Sequence, residues 1–413
     1  MRKEFDINTL SSSRNRNNGL FTSLTFIILF QTSIVVIVQI APVLAPLAAG
    51  DLDINAVLVG VLTSIIFFTA LFSTFFTSIL ISKVGSLNTA IICLGFMILG
   101  TGTFSFATSK MELILAAIFV GIGYGPVNPI GSHVLSKVTP KEVRNFVFSF
   151  KQSSVSIGGA LSGFLLPTIA IWGGWRVASA SGLVFALIAI CFVLPARKYH
   201  KADAEDSVEQ KKIYLRQIVE SLKNGTATQV LAISVFSFSM LQFGFMSIYV
   251  TMLWTKASVS SQFAGYMIGL TMAASIVGRL FWGRIADLGS EPRLILAIQA
   301  LSGVFVLMII TTLNNDWSPI GIAVISLILG LGPMGWSGLL LAEIARIGSR
   351  TGGLTGVVTA TSVNMVFAYL GGLLGPALLS LSAFYYDSYI YGLILLSLSL
   401  LLTAFSLLYT KSM

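Results

Sequence analysis

Two cations stand where an apolar chain has least use for them: Lys151 and Arg279 lie deep inside long hydrophobic stretches. An ionised side chain near the centre of a membrane-spanning helix costs roughly 2.5–3.5 kcal/mol on insertion scales, so one that is kept calls for a reason. All sixteen Asp and Glu residues fall in loops or near the ends of such stretches, with Asp287 and Glu343 at one margin and Asp51 and Asp53 at the other. Buried cations without a buried acid imply a neutralised lysine, a distant pairing or a bound anion, and of these we favour the anion. Gln39, Asn128, Gln152, Gln242 and Asn364 sit mid-stretch and could complete an anion site, although each taken singly is an ordinary helix-packing residue.

Twelve apolar stretches must position these groups. They lie near 20–48, 55–81, 87–108, 112–135, 145–171 and 176–196, then near 229–254, 262–286, 293–312, 318–342, 354–383 and 388–409. Each matches the roughly 20 helical residues needed to cross a hydrocarbon core of about 30 Å. Lipid offers no partner to backbone N–H and C=O groups, so the expected fold class is an all-α membrane protein of twelve transmembrane helices. Lys151 falls in the fifth span and Arg279 in the eighth, each about 10–12 Å from the cytoplasmic end at 1.5 Å per residue. On the fifth span, Ser154, Gly158 and Ser162 share the face of Lys151, while Gln152, Ser156, Gly159 and Gly163 form an adjacent face of small residues suited to close packing. The plainer alternative is that Lys151 snorkels to the cytoplasmic surface and that Arg279 pairs with loop groups.

A hydrophobic fraction of 55% and a charged fraction of 10% exclude an ordinary soluble domain. The net charge of +9 reports sidedness rather than nucleic-acid binding. With the amino terminus taken as inside, 20 of the 25 Lys and Arg fall on cytoplasmic segments and only Lys110, Arg176 and Lys256 on outer loops, so both termini are expected in the cytoplasm. The basic arm before the first span resembles the start of a secretory signal, but the apolar stretch behind it is too long, which predicts a retained anchor. Cys93 and Cys191 both fall within spans, so neither suggests a disulfide framework. No nucleotide-binding loop, zinc-ligand spacing or exposed Ser/His/Asp set is present, which argues against an enzyme, a cofactor or an ATP-driven pump. Tyr124, Trp336 and the 29 Phe residues read as core or lipid-facing groups.

The one sizeable hydrophilic stretch divides the chain into a six-span half with its basic arm (1–196), a cytoplasmic linker (197–228) and a second half (229–413). Within the linker, 213–222 has the pattern of a short amphipathic surface helix. The halves repeat each other: Gly123-Tyr124-Gly125-Pro126 returns as Gly330-Leu331-Gly332-Pro333, and Gly159 to Gly163 with Pro167 returns as Gly371 to Gly375 with Pro376. A Gly and an Asp followed by basic residues, here Gly283, Asp287 and Arg293, stand after the second span of the second half; in the first half only Lys83 and Gly85 remain, with Ser78 and Ser82 at the Gly and Asp positions. Over essentially its whole length the chain resembles the major facilitator superfamily, in which that loop signature serves gating. Phe150-Lys151-Gln152-Ser153, followed by Gly158-Gly159, Pro167 and Gly174-Trp175-Arg176, is similar to bacterial permeases related to cyanate transporters. Ala117 and Ile118 stand where proton-coupled drug exporters commonly carry an Arg, which disfavours drug/proton exchange.

The resemblance implies a secondary transporter of the bacterial inner membrane, moving a small anion by alternating access of two halves, with a proton or other ion as candidate coupling partner. The alternatives are an exporter of neutral or cationic hydrophobic compounds and, in another class, a membrane receptor or interaction protein.

Overall fold

Proline and glycine set the breaks in an otherwise continuous series of apolar helices. The computed structural model describes residues 7–140, 143–197 and 225–409, with the side chains of 7–17, 144–146, 149, 351–359 and 362 outside that description. The expected surface helix at 213–222, and most of the linker with it, lies outside the described residues. Thirteen α-helices are present among those described. The first half contains α1 (Ile7–Val38), α2 (Ile40–Leu52), α3 (Val59–Val84), α4 (Ser86–Ser105), α5 (Lys110–Tyr124), α6 (Val127–Val138) and α7 (Arg144–Arg197). The second contains α8 (Thr226–Lys256), α9 (Ser261–Asp287), α10 (Pro292–Ile310), α11 (Pro319–Leu331), α12 (Ser337–Tyr386) and α13 (Ile390–Tyr409).

Eleven helical segments are long and apolar enough to cross a membrane. One of them, 150–197, has 48 residues, about 72 Å of helix, and bends at Gly174, whose φ of 74° favours a residue without Cβ. It therefore supplies two crossings, spans five and six, and the total is twelve. The exposed faces are apolar, as lipid requires, with Phe68, Phe72 and Phe76 on α3 and Leu402 and Phe405 on α13.

Three spans are broken, each by proline. Pro42 has no N–H to give to the Val38 carbonyl, and α1 ends there, with Gln39 between it and α2. Gly125-Pro126 separates α5 from α6 in span four, and Gly332-Pro333 separates α11 from α12 in span ten. The internal repeat seen in the sequence is thus a repeat of breaks. Span seven has no proline and runs unbroken through α8, so the symmetry of the halves is incomplete. Loops are short: Gly85, at φ 82°, alone joins α3 to α4, and Ser109 with Glu112 forms a capping box that starts α5.

The small residues of the fifth and eleventh spans pack each half internally and against the other. A Cβ on Gly158 would meet Val35 of α1, and one on Gly371 would meet Met240 of α8; a Cβ on Gly159 would meet Met272 of α9, and one on Gly372 would meet Phe67 of α3. These contacts equate Gly158 with Gly371 and Gly159 with Gly372, a register one residue from the match read in the sequence. At Gly163 the approach is of backbone to backbone, since a Cβ there would lie 2.4 Å from the Gly269 backbone nitrogen.

One face of the molecule is held by two ion pairs. Asp51 pairs with Arg176 and accepts the Trp175 indole N–H at 3.0 Å, and Lys256 pairs with Asp387 at 3.1 Å. Near this face the halves are joined by the bond from Ser380 to the Val57 carbonyl and by Thr168 with Tyr266 at 3.1 Å.

Candidate functional site

Lys151 is 2% exposed and its stem passes between α6 and α1. Gly131 makes the room, because a Cβ at that position would lie 2.8 Å from the lysine Cε and 3.2 Å from Ile27. The ammonium donates to the Asn128 carbonyl and to the Asn128 side-chain oxygen, both at 3.3 Å. Among the described residues no carboxylate stands within ion-pair distance of Lys151 or of Arg279. Arg279 reaches across from α9 and donates to the Gln152 carbonyl at 2.8 Å, while its Nε and the Gln152 side-chain oxygen are buried without a hydrogen-bond partner. The two cations therefore flank one stretch of α7 backbone, Lys151 turned into the first half and Arg279 arriving from the second. Ser156 and Ser275 share a bond of 2.6 Å along the same seam, which is the small-residue face of the fifth span.

Gln39, at the proline break, donates to the Met246 carbonyl at 2.9 Å, and Ser247 donates to Thr63 at 2.8 Å. Both bonds join the halves. They close a central cavity of about 10 Å³, room for a single water, lined by residues that include Gln39, Thr63, Phe67, Tyr124, Phe243 and Met246. Val155, one turn after Lys151, also lines it. Around the cavity stand four aromatic rings, two from each half. Phe67 lies 5.5 Å from Tyr124, 4.4 Å from Phe243 and 6.4 Å from Tyr369 between ring centroids. Tyr124 and Trp336 are thus interior groups, and Phe67, Phe243 and Tyr369 join the list of candidates that the sequence alone had not singled out.

The remaining candidates separate. Gln242 accepts the Trp336 indole N–H at 2.9 Å inside the second half. Asn364 donates to the Ala360 carbonyl at 2.7 Å and leaves its side-chain oxygen buried without a partner. Of the loop-signature residues, Asp287 and Lys83 are exposed and Gly283 has open space around it, whereas Arg293 is buried and donates to Glu343 at 3.1 Å. Glu343, read from the sequence as a marginal carboxylate, is 2% exposed and also receives two bonds from Arg346.

Two six-span halves closing on a jointly lined cavity have the form of a membrane carrier rather than of a receptor built on large loops. The chain belongs to the Major Facilitator Superfamily, whose family model matches residues 21–376. It is a transporter and not an enzyme. It is similar to a protein described as a probable 4-methylmuconolactone transporter of Cupriavidus pinatubonensis, at 26% identity over 55% of each chain. It is also similar to the 4-hydroxybenzoate transporter PcaK of Acinetobacter baylyi, at 22% over 67% of this chain and 66% of that one, and to a sucrose permease of Escherichia coli, at 29% over 40% and 41%. The chain thus matches about half to two thirds of the length of the first two. Among solved structures, a variant of the nucleoside transporter NupG has the same fold, with a TM-score of 0.73 at 13% identity, over 95% of this chain and all of that one. The likeness to cyanate-related permeases rests on the fifth-span residues alone.

Proposed function

We propose that the protein moves a small organic anion by alternating access, with Lys151 as the principal contact for its charge and Arg279 as the second pole. The observation that carries this reading is the Lys151 ammonium, buried against two neutral oxygens with no acid beside it among the described residues. The four rings around the cavity suit an anion with an unsaturated or aromatic body, and two of the relatives named above are described as transporters of such compounds. A cavity with room for one water cannot hold such a solute, so this state is closed and the halves must part to admit it. Helix packing holds each half, and the different contacts a substrate makes in the two orientations drive the cycle.

A thermal-shift screen of the purified chain against monocarboxylates, with sucrose as a neutral comparison, tests the reading. An anion at a hundred times its dissociation constant should stabilise by about 2.7 kcal/mol. Stabilisation by sucrose and by none of the acids would refute the anionic class.

The charge asymmetry of the loops supports a topology with the Asp51 face outside and both termini in the cytoplasm, and the resemblance to bacterial permeases supports a bacterial inner membrane. Single cysteines at Lys110 and Asp316 are therefore expected to react with impermeant maleimide in intact cells, and cysteines in the 198–224 linker only after lysis. Labelling of the linker in intact cells would reverse the topology.

A further inference from the structure

The geometry points to Tyr369 as a positioning residue that ties the occupancy of Lys151 to the contact between the halves. This rests on the reading of Lys151 as the anion contact and adds a path by which that site acts on the rest of the molecule.

The path begins with a defect written into span four. Pro129 stands four residues after Gly125 and has no N–H, so the Gly125 carbonyl has no helical donor. Two hydroxyls replace it. Thr74 of α3 donates at 2.8 Å from within the first half, and Tyr369 of α12 donates at 3.0 Å from the second. The single Thr74 proton is shared with the Ala70 carbonyl of its own helix at 2.9 Å, whereas Tyr369 gives its proton to Gly125 alone. The Tyr369 hydroxyl lies near the Thr74 hydroxyl and the Asn128 side chain. Asn128 in turn takes the Lys151 ammonium on its carbonyl and its side-chain oxygen. Lys151 and Tyr369 therefore hold the same break in span four, Lys151 through Asn128 and Tyr369 through the Gly125 carbonyl across the boundary between the halves.

At 3.3 Å both bonds of Lys151 are longer than the usual span of about 2.7–3.2 Å. A carboxylate on the ammonium would form a shorter charge-assisted bond and draw it off Asn128. The break, no longer held at Asn128, shifts the Gly125 carbonyl under Tyr369, and the bond between the halves weakens. The empty carrier is latched at Tyr369 and the loaded one is released.

The latch is tested without ligand. Spin labels at Lys110 and Asp316, in the full chain with Cys93→Ser and Cys191→Ser, report the ratio of parted to joined populations on the Asp51 face by pulsed resonance. Tyr369→Phe keeps the ring and removes the bond, and is expected to raise that ratio two- to tenfold, the worth of about one hydrogen bond. Thr77→Val loses a hydroxyl bonded only within its own helix and is expected to leave the ratio unchanged. Lys151→Met is expected to shift it in the same direction as Tyr369→Phe, and the double variant no further than the larger single effect. An unchanged ratio in Tyr369→Phe, or full additivity of the two shifts, overturns the latch. Millimolar benzoate is then added to the unsubstituted protein. Should it leave the ratio unmoved while the ligand-free shifts hold, the relay stands and the anion reading of Lys151 is the part that fails.

Discussion

Replacing Lys151 with methionine is expected to weaken anion binding by about ten- to a hundredfold while leaving the melting temperature unchanged or higher. The two effects have one cause. The ammonium is buried and held by two neutral oxygens at 3.3 Å, so its desolvation is poorly compensated in the empty protein. Methionine has a similar unbranched stem, fits the channel over Gly131, and removes that penalty. In the loaded protein the same ammonium makes a charge-assisted bond worth about 1.5–3 kcal/mol, which the variant forfeits. Equilibrium binding of the acid found by the thermal-shift screen, read beside melting of the same preparations, checks both halves of the expectation. Unchanged affinity in a well-folded variant would remove Lys151 from the site. Arg279→Lys keeps the charge but not the planar fork, and is expected to weaken binding less than Lys151→Met does.

The opposite pattern is expected at Glu343. This carboxylate is almost wholly buried between Arg293 of α10 and Arg346 on its own helix, and it joins the start of span nine to the end of span ten. Truncation of one partner of a buried pair leaves the other charge poorly compensated and typically costs about 3–5 kcal/mol. Glu343→Ala should therefore lower the melting temperature sharply and leave the affinity of the surviving folded protein near its original value. Glu343→Gln keeps the shape and part of the hydrogen bonding and should fall between. It should also reduce transport less than Lys151→Met does. Should Glu343→Gln abolish uptake in proteoliposomes with its fold intact, Glu343 rather than Lys151 would be the group whose charge is coupled to the cycle.

The sequence makes the spans legible because lipid permits few alternatives: a long apolar run can only be a helix, although its prolines do not say where it breaks, since Pro42, Pro126 and Pro333 mark breaks while Pro167 and Pro376 lie inside helices that continue through them. Lys151 and Arg279 were legible for a related reason, since a charge in such a run has nowhere inconspicuous to go. The partners were not. Nothing in the order of residues says that Gln242 serves Trp336, that Arg293 is turned to Glu343 in preference to Asp287, or that Tyr369 reaches the carbonyl exposed by Pro129. Those facts depend on which helices are neighbours, and neighbours are chosen by complementary shape along whole faces. Pro129 did signal an acceptor in need of a donor, but many hydroxyls in the chain could have answered it. The one-residue shift between the repeat seen in the sequence and the repeat seen in the contacts has the same origin: adjacent glycines are interchangeable as letters but occupy different sides of a helix.

The crossing at Gly163 and Gly269 has a mechanical consequence. The Gly163 backbone lies against that of Gly269 and Gly265, with the rings of Phe164 and Pro167 to either side. Backbones that touch in this way can roll over each other while the area in contact hardly changes, whereas interlocked side chains would have to climb out of their grooves. Such a point acts as a fulcrum. Twelve residues beyond Lys151, this fulcrum lies toward the Asp51 face, so a modest roll about it becomes a wide movement at the opposite rim and a small one nearby. A bulky residue at Gly163 would turn the bearing into a ratchet.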